Sequence, residues 1–366
     1  MRILISLVSD QAAPNLLLAK ELAPVDRHIL ISTGQMVRKA KFLQSVFRAE
    51  PVQIIELSDP HDYENIKTEL SRICFPAGSD VIVNLTCGTK IMFLAAYEVF
   101  NAKACRCVYI EGNKYYDFFD KHTYSIDQKI ELNEYLSAYG ITLSGGELFS
   151  SGLDLCRHML SEKKQLQGPI FEYIRNNGRD KKIDTKPEMR TYLEDIGFKP
   201  ENAAKLSKYE ARFITGGWLE EYLYWTLREI LSVDKPFISC GAKIRIDDVA
   251  NECDVLLMYR NQLYVFECKS STLLSPNHTS KICTQQPDAS ECKSSANRNI
   301  FTDTAYKAAA LGQKFGLMMK SVLVIADSPI QESNRDRAKA FRITLIDNFD
   351  DDSFRCQLKE RLNLGL

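Results

Sequence analysis

The feature that most constrains this 366-residue chain is a succession of short, nearly unbroken apolar runs near its start, each separated from the next by an amphipathic stretch. Residues 2–8, 28–32, 52–57, 80–85 and 106–110 read as strands, and 15–22, 36–47, 63–74 and 90–101 as helices between them. A strand that is apolar on every position has no solvent face, so it belongs in a sheet covered on both sides. Regular alternation with helices predicts an α/β fold with a Rossmann-like, doubly wound parallel sheet. Ligands of such sheets gather at the carboxyl ends of the strands.

Those strand ends are polar. Residues 80–90 run from a buried strand through Asn84-Leu-Thr86-Cys87-Gly88-Thr89 to Lys90 at the start of a helix. Backbone N–H groups at the helix start, the hydroxyls of Thr86 and Thr89 and the Lys90 cation suit an anion, most simply a phosphate. Neither GxGxxG nor GxxxxGK[ST] is present, which removes support for dinucleotide and Walker-type nucleotide binding. The first strand ends in Ser9-Asp10-Gln11 and the second in Ser32-Thr33-Gly34. Three polar strand ends imply one ligand crevice.

From 113 to 152 the pattern turns mixed and aromatic-rich, closing in Ser144-Gly-Gly146 and Ser150-Ser-Gly152, where a boundary belongs. The charged segment 162–211, broken by Gly178, Pro187, Gly197 and Pro200, reads as a helical connector. A periodic helix at 218–231 follows, then strands at 243–245, 252–259 and 262–269, a polar stretch at 273–299, a helix at 304–315 and a strand at 321–326. The expected division is a first domain over 1–145, a connector over 146–211 and a second α/β domain over 212–366.

The stretch 252–269 is the most informative in the second half. Its polar break, Arg260-Asn261, predicts a two-residue hairpin turn, which pairs Tyr259 with Gln262 and Asp254 with Glu267. Opposed residues share a sheet face with Cβ atoms about 4.5–5.5 Å apart, where two carboxylates repel. Lys269 falls on the same face by the two-residue period. Val255, Leu257, Tyr264 and Phe266 make the other face apolar, and Leu256, Met258, Leu263 and Val265 do the same further along the acid face. Ionisable groups inside such a hairpin are costly unless they pair with each other and with a metal ion. Hard carboxylate oxygens suit Mg²⁺ or Mn²⁺, with the backbone carbonyl of Cys268 as an extra ligand.

An Asp followed by a hydrophobic strand bearing Glu-x-Lys, and preceded by a helix with an acid, resembles the PD-(D/E)xK nucleases, so the second domain is expected to be restriction-endonuclease-like. Cys253 stands where the superfamily name has Pro. The resemblance implies that Asp254, Glu267 and Lys269 are catalytic and that Gly216-Gly-Trp-Leu-Glu-Glu-Tyr222 supplies a further carboxylate, Glu220 by preference, with Glu221 as the alternative. Lys269 would orient or deprotonate water, and Tyr306, Lys307, Gln313 and Lys314 would border the strand path. In the first domain, Asn84-x-Thr86-x-Gly88-Thr89-Lys90 with Ser9-Asp10-Gln11 resembles the CARF domain of CRISPR-associated proteins, Cys87 replacing a frequent glycine. That family binds a cyclic oligoadenylate across the two-fold axis of a homodimer. The implied contacts are Ser9, Asp10, Gln11, Thr33, Asn84, Thr86, Cys87, Gly88, Thr89 and Lys90.

The two halves together are similar to the CARF-fused nucleases of the Card1/Can2 family. The resemblance implies cyclic tetra-adenylate as activator, Mn²⁺ or Mg²⁺ as cofactor, and single-stranded DNA or RNA, or both, as substrate in type III CRISPR defence. Composition fits gating: 47 Lys+Arg against 48 Asp+Glu leave a formal charge of −1, so the chain has no general field to hold nucleic acid. Eleven cysteines, mostly in apolar segments, read as reduced thiols, and Cys105, Cys107, Cys283 and Cys292 lack the histidines of a zinc site. No apolar run approaches a membrane span and the opening residues do not make a signal peptide, so a cytoplasmic protein is expected. His122 and His278 are expected at the surface. The alternative function is a ligand-sensing regulator that binds nucleic acid without cutting it; such a protein need not keep the acids and the lysine that this chain has.

Overall fold

The computed structural model describes residues 1–47, 51–178, 180–270, 307, 310–312, 314–316, 319–326 and 332–362. The polar stretch 273–299 with His278, and Tyr306 and Gln313, lie outside the described residues. The first half alternates as its sequence requires: β1 (Arg2–Leu7), α1 (Ala13–Glu21), β2 (Arg27–Ser32), α2 (Val37–Val46), β3 (Val52–Glu56), α3 (Tyr63–Ser71), β4 (Asp80–Asn84), α4 (Lys90–Ala102) and β5 (Arg106–Glu111). These strands are parallel in the order β3-β2-β1-β4-β5. Along β1, Ile3, Ile5 and Leu7 enter one core and Leu4 another, so both faces are covered. The ends of β2, β1 and β4 therefore lie side by side, as the crevice requires.

The aromatic-rich stretch after β5 is a hairpin extension rather than irregular chain. β6 (Lys114–Asp117) and β7 (His122–Ser125) add to the sheet antiparallel. His122 is exposed there. After α5 (Leu132–Ala138) comes β8 (Ile141–Ser144), which leaves the first sheet and pairs with the second.

The connector is more ordered than a run of broken helices. It comprises α6 (Leu153–Ser161), α7 (Pro169–Asn177), β9 (Ile183–Asp184), α8 (Pro187–Asp195), β10 (Lys205–Leu206) and α9 (Lys208–Arg212), with β9 and β10 paired as a ribbon. A π-helical turn, Phe213–Gly217, leads into α10 (Trp218–Leu231). The second sheet follows with β11 (Ile238–Ile246), β12 (Val249–Tyr259), β13 (Gln262–Lys269) and β14 (Lys320–Ile325), then α11 (Glu332–Ala340), β15 (Ile343–Asp347) and α12 (Asp351–Arg361). Its order is β15-β14-β13-β12-β11-β8, parallel across β13-β14-β15 and antiparallel elsewhere. No described helix is long and apolar enough to cross a membrane.

One hydrophobic core belongs to both sheets. Leu4, Leu16 and Leu30 of the first half and Tyr135 and Tyr139 from α5 and its end pack in the same cluster as Leu256, Met258, Leu263 and Phe315 of the second. The β12–β13 hairpin has the expected register, Tyr259 opposite Gln262 and Val255 opposite Phe266. Its tip reaches the first domain: Asn261 Nδ2 donates to Asn113 Oδ1 and to the Gln128 carbonyl, both at 3.0 Å, and its Oδ1 accepts from Ile130 N at 2.8 Å. Arg260 and Asn261 both have positive φ, 52° and 60°, as a turn matching the strand twist requires.

Asn261 thus serves the turn and the junction together. Asn261→Ala is expected to cost about 2–4 kcal/mol in denaturant unfolding, from left-handed strain and lost hydrogen bonds. Asn261→Gly, which tolerates the turn, is expected to cost less; equal losses would show that the turn carries no strain.

Candidate active site

The two acids lie where the β12–β13 ladder opens. Backbone pairing ends at Val255 and Phe266. The next donor, Cys268 N–H, goes to Asp254 Oδ2 at 2.6 Å. A strand residue sends N–H and C=O to the same edge, and the neighbouring Lys269 carbonyl bonds Ala326 N on the β14 side. The Cys268 carbonyl therefore leaves toward the open fork as well.

The opening coincides with a change of side. Cys240 and Ala242, two residues apart on β11, fall in different cores, and so do Cys253 and Val255 opposite them on β12. Between them lie Gly241, at φ +56°, and Asp254. Gly146 lies flat against this point, since a Cβ on it would meet the Cys240 and Gly241 carbonyl oxygens at 2.5 Å.

Helices cover the fork from both faces. α10 packs on the Val255, Leu257, Tyr264 and Phe266 face through Leu219, Tyr222, Leu223 and Leu227. It brings Glu220 to the fork; burial first, and then Asp254, hold that carboxyl well above its ordinary value. Glu221, the alternative carboxylate, is buried and already partnered: it accepts from Phe149 N at 2.8 Å, Ser150 N at 2.7 Å and Ser150 Oγ at 2.5 Å. On the opposite face Leu311 and Phe315, from a segment helical at 307, 310–312 and 314–315, pack against Leu256 and Val265.

Charge at the fork is only partly balanced. Lys269 Nζ bonds Glu267 Oε1 at 2.7 Å, and Lys307 Nζ bonds Oε2 at 2.6 Å. Burial raises Glu267, but the two ammoniums outweigh it and the net shift is downward. Asp254 is pushed up from 3.8 to about 6 by burial and then by Glu267. Among the described residues no group of three His, Cys, Asp or Glu side chains is close enough to hold an ion. The donor set nevertheless suits a hard divalent cation: it is all oxygen, and the raised Asp254 and Glu220 mark negative charge that the lysines leave uncovered.

At the first-domain turn, Asn84 and Thr86 are scaffolding. Asn84 is fully buried, donates to Asn15 Oδ1 at 2.7 Å and accepts from Thr86 N and Oγ1 at 3.1 and 2.6 Å. The Thr86 oxygen also accepts from Ile110 N at 2.8 Å. The Thr86 hydroxyl, which also lines the cavity of this turn, is thus engaged inside it. Thr89 caps α4 by accepting from Met92 N at 3.2 Å. Cys87 is buried, is not among the positive-φ residues, and donates from Sγ to the Gln11 carbonyl at 3.3 Å. Gly88 takes the left-handed conformation, φ +88°. Gly88, Thr89 and Lys90 are exposed, and with Leu85, Thr86, Cys87, Phe93, Leu94 and Tyr109 they line a cavity of about 390 Å³. Ser9 Oγ holds Gln11 N at 3.1 Å, and Asp10 faces Lys39 at 3.9 Å. Thr33 lies at the neighbouring end of β2.

Comparison with known proteins identifies both domains. Residues 3–135 match the family model of the Card1 CARF domain, and residues 207–281 that of the Card1-like endonuclease domain. The chain joins a Card1-type CARF domain to a Card1-like endonuclease domain. No curated protein matches it. Among solved structures it is similar to Can2 from Sulfobacillus thermosulfidooxidans in complex with cyclic tetra-adenylate, at 21% identity and a TM-score of 0.74 over 99% of this chain and 100% of that one. It is also similar to VC1899 from Vibrio cholerae, at 18% identity and 0.75 over 100% and 98%. A type III CRISPR defence DNA nuclease activated by cyclic oligoadenylate matches at 17% identity and 0.61, over 98% of this chain and 51% of that chain. At these identities the likeness is one of fold.

In the endonuclease domain, sequence reasoning brought Asp254, Glu267, Lys269 and Glu220 together but missed the Lys307–Glu267 pair, because nothing local joins residues forty positions apart. Lys314 is exposed and Lys307 faces a carboxylate rather than open solvent.

The raised Asp254 has a sign that can be tested. A carboxyl with a folded pKa above its unfolded one favours folding while protonated, and that contribution is lost as pH rises through about 6. In chelator, Asp254→Asn is expected to stabilise the protein by about 2–3 kcal/mol at pH 7 and by about 1 kcal/mol at pH 4.5. A gain independent of pH would contradict the shift.

Proposed function

We propose that this chain is a metal-dependent endonuclease switched on by a cyclic oligoadenylate, most simply cyclic tetra-adenylate, and that it cuts single-stranded DNA, RNA or both. The observation that carries this reading is the set of acids at the β12–β13 fork, where half-buried Asp254 accepts from Cys268 N, half-buried Glu267 is held by Lys269 and Lys307, and half-buried Glu220 adds a third carboxylate, so that acids outnumber ammoniums. Asp254, Glu267, Glu220 and the Cys268 carbonyl would hold Mn²⁺ or Mg²⁺, which when bound would supply stabilisation of charge at a scissile phosphate. Lys269, fixed by Glu267, orients water and steadies the developing charge.

The activator belongs at the cavity of Gly88, Thr89 and Lys90, where main-chain donors and a cation face outward. A homodimer is part of the proposal. Ile91, Leu94, Tyr109, Tyr116 and Phe119 are exposed on α4, on β5 and β6 and just after β6, and Leu94 and Tyr109 line that cavity, an apolar border suited to a second copy. The described cysteines are free thiols, which supports a reducing cytosol as the place of action. The role in CRISPR defence rests on the CARF and endonuclease family matches.

The test is cleavage of fluorescent single-stranded DNA and RNA with Mn²⁺, with and without cyclic tetra-adenylate. Cleavage only with the ligand is expected. Asp254→Asn and Glu267→Gln are each expected to lower it by at least about 10³-fold while leaving ligand affinity unchanged. No product from wild type with the ligand bound would replace this reading with the non-cleaving regulator.

A further inference from the structure

Both oxygens of Glu267 are held by ammonium groups, Oε1 by Lys269 at 2.7 Å and Oε2 by Lys307 at 2.6 Å. The two lysines differ in what carries them. Lys269 shares a strand with Glu267, whereas Lys307 stands on a separate helical segment whose far end is gripped by the CARF half. Tyr135 of α5 donates its hydroxyl to the carbonyl of fully buried Phe315 at 2.8 Å. At Gly316, φ +91°, the Tyr139 hydroxyl fills the place of a side chain, since a Cβ there would meet it at 2.5 Å.

That same hydroxyl accepts from Ala12 N at 3.2 Å. Ala12 follows the Ser9-Asp10-Gln11 strand end, and the Gln11 carbonyl accepts from Cys87 in the anion-facing turn. One tyrosine hydroxyl therefore contacts both the backbone that follows the polar end of β1 and the tail of the segment that carries Lys307. The segment is helical at 307, 310–312 and 314–315; eight helical steps span about 12 Å, so over that distance a tilt of about 10° at the tail moves the far end by about 2 Å, enough to break a hydrogen bond.

We propose that Lys307 is an internal counter-cation that keeps Glu267 from a divalent metal until ligand in the CARF crevice shifts Tyr139 and, with it, the segment ending at Gly316. This rests on the endonuclease reading above and adds how its metal site is controlled. A charge-assisted bond to a carboxylate competes directly with a metal for the same oxygen. By linkage, a ligand that removes the competitor must tighten metal binding, and metal must tighten the ligand by the same factor.

The experiment is a titration of the full-length protein with Mn²⁺, read by the electron paramagnetic resonance of free ion, with and without saturating cyclic tetra-adenylate. In wild type the ligand is expected to tighten Mn²⁺ binding by roughly ten-fold. In Lys307→Met, Mn²⁺ is expected to bind at the tight level without ligand, the ligand adding less than about two-fold. Lys307→Gln gives a second variant should Met disturb folding. Tyr139→Phe is expected to bind the ligand yet lose the effect on Mn²⁺.

The proposal is overturned if either Lys307 variant keeps the full ligand-induced tightening, or if wild type cuts with ligand while its Mn²⁺ affinity stays unchanged. Failure of the endonuclease reading looks different: wild type saturated with both Mn²⁺ and ligand yields no product.

Discussion

Everything near the candidate site follows from placing like charges together at a half-buried fork that is apolar on both faces further along. Two unit charges about 5 Å apart repel by about 3 kcal/mol at an effective dielectric constant of 20. Three carboxylates at one fork cannot all stay ionised and unpaired at that cost. The structure answers in parts: a backbone N–H on Asp254, two ammoniums on Glu267, and protonation favoured at Glu220 and Asp254. The part left over is an appetite for a cation. With a formal charge of −1 over the whole chain, that appetite is local.

The same economy of space ties the two halves of the molecule together. A core that contains both Leu4 and Leu256 does not let the first sheet move without the second. The hairpin that carries both acids is fixed at its tip by Asn261 to Asn113, Gln128 and Ile130, all in the CARF half. Its open end is free of backbone pairing at Asp254. The hairpin is thus fixed at its tip and splayed at its base, where β11 and β14 hold its two strands from outside and leave the candidate acids at the gap between them.

Much of this was legible before the structure. The hairpin register needed only a polar dipeptide between apolar runs, because the strand twist selects the turn and the turn fixes every pair behind it. The parallel sheet needed only strands apolar on all sides. Simple alternation failed at Asp254, where β11 and β12 change the side they bury; a glycine with positive φ at 241 permits that change, and one glycine in a strand is a weak signal. Glu220 and Glu221 were inseparable for a different reason. The partner that removes Glu221, the Phe149–Ser150 backbone, lies more than seventy residues away. Lys307 was visible as a basic residue on a helix, but only tertiary packing could set it against Glu267 rather than against solvent.

The first-domain turn shows the reverse division between sequence and structure. Its motif reads as a set of ligand contacts, yet Asn84 and Thr86 spend their polar groups on each other, on Asn15 and on Ile110. Their work is to hold the turn open against the end of β5. What remains outward at Gly88, Thr89 and Lys90 is main chain, one hydroxyl oxygen already capping a helix, and one ammonium. Such a surface recognises charge and shape more than base identity. Under the function proposed above, selectivity for a ring would come from the dimensions of the crevice and from how many copies of this turn face it at once. The exposed apolar border beside the turn would then matter as much as the turn itself, because pairing two copies through it would let two weak anion sites act as one.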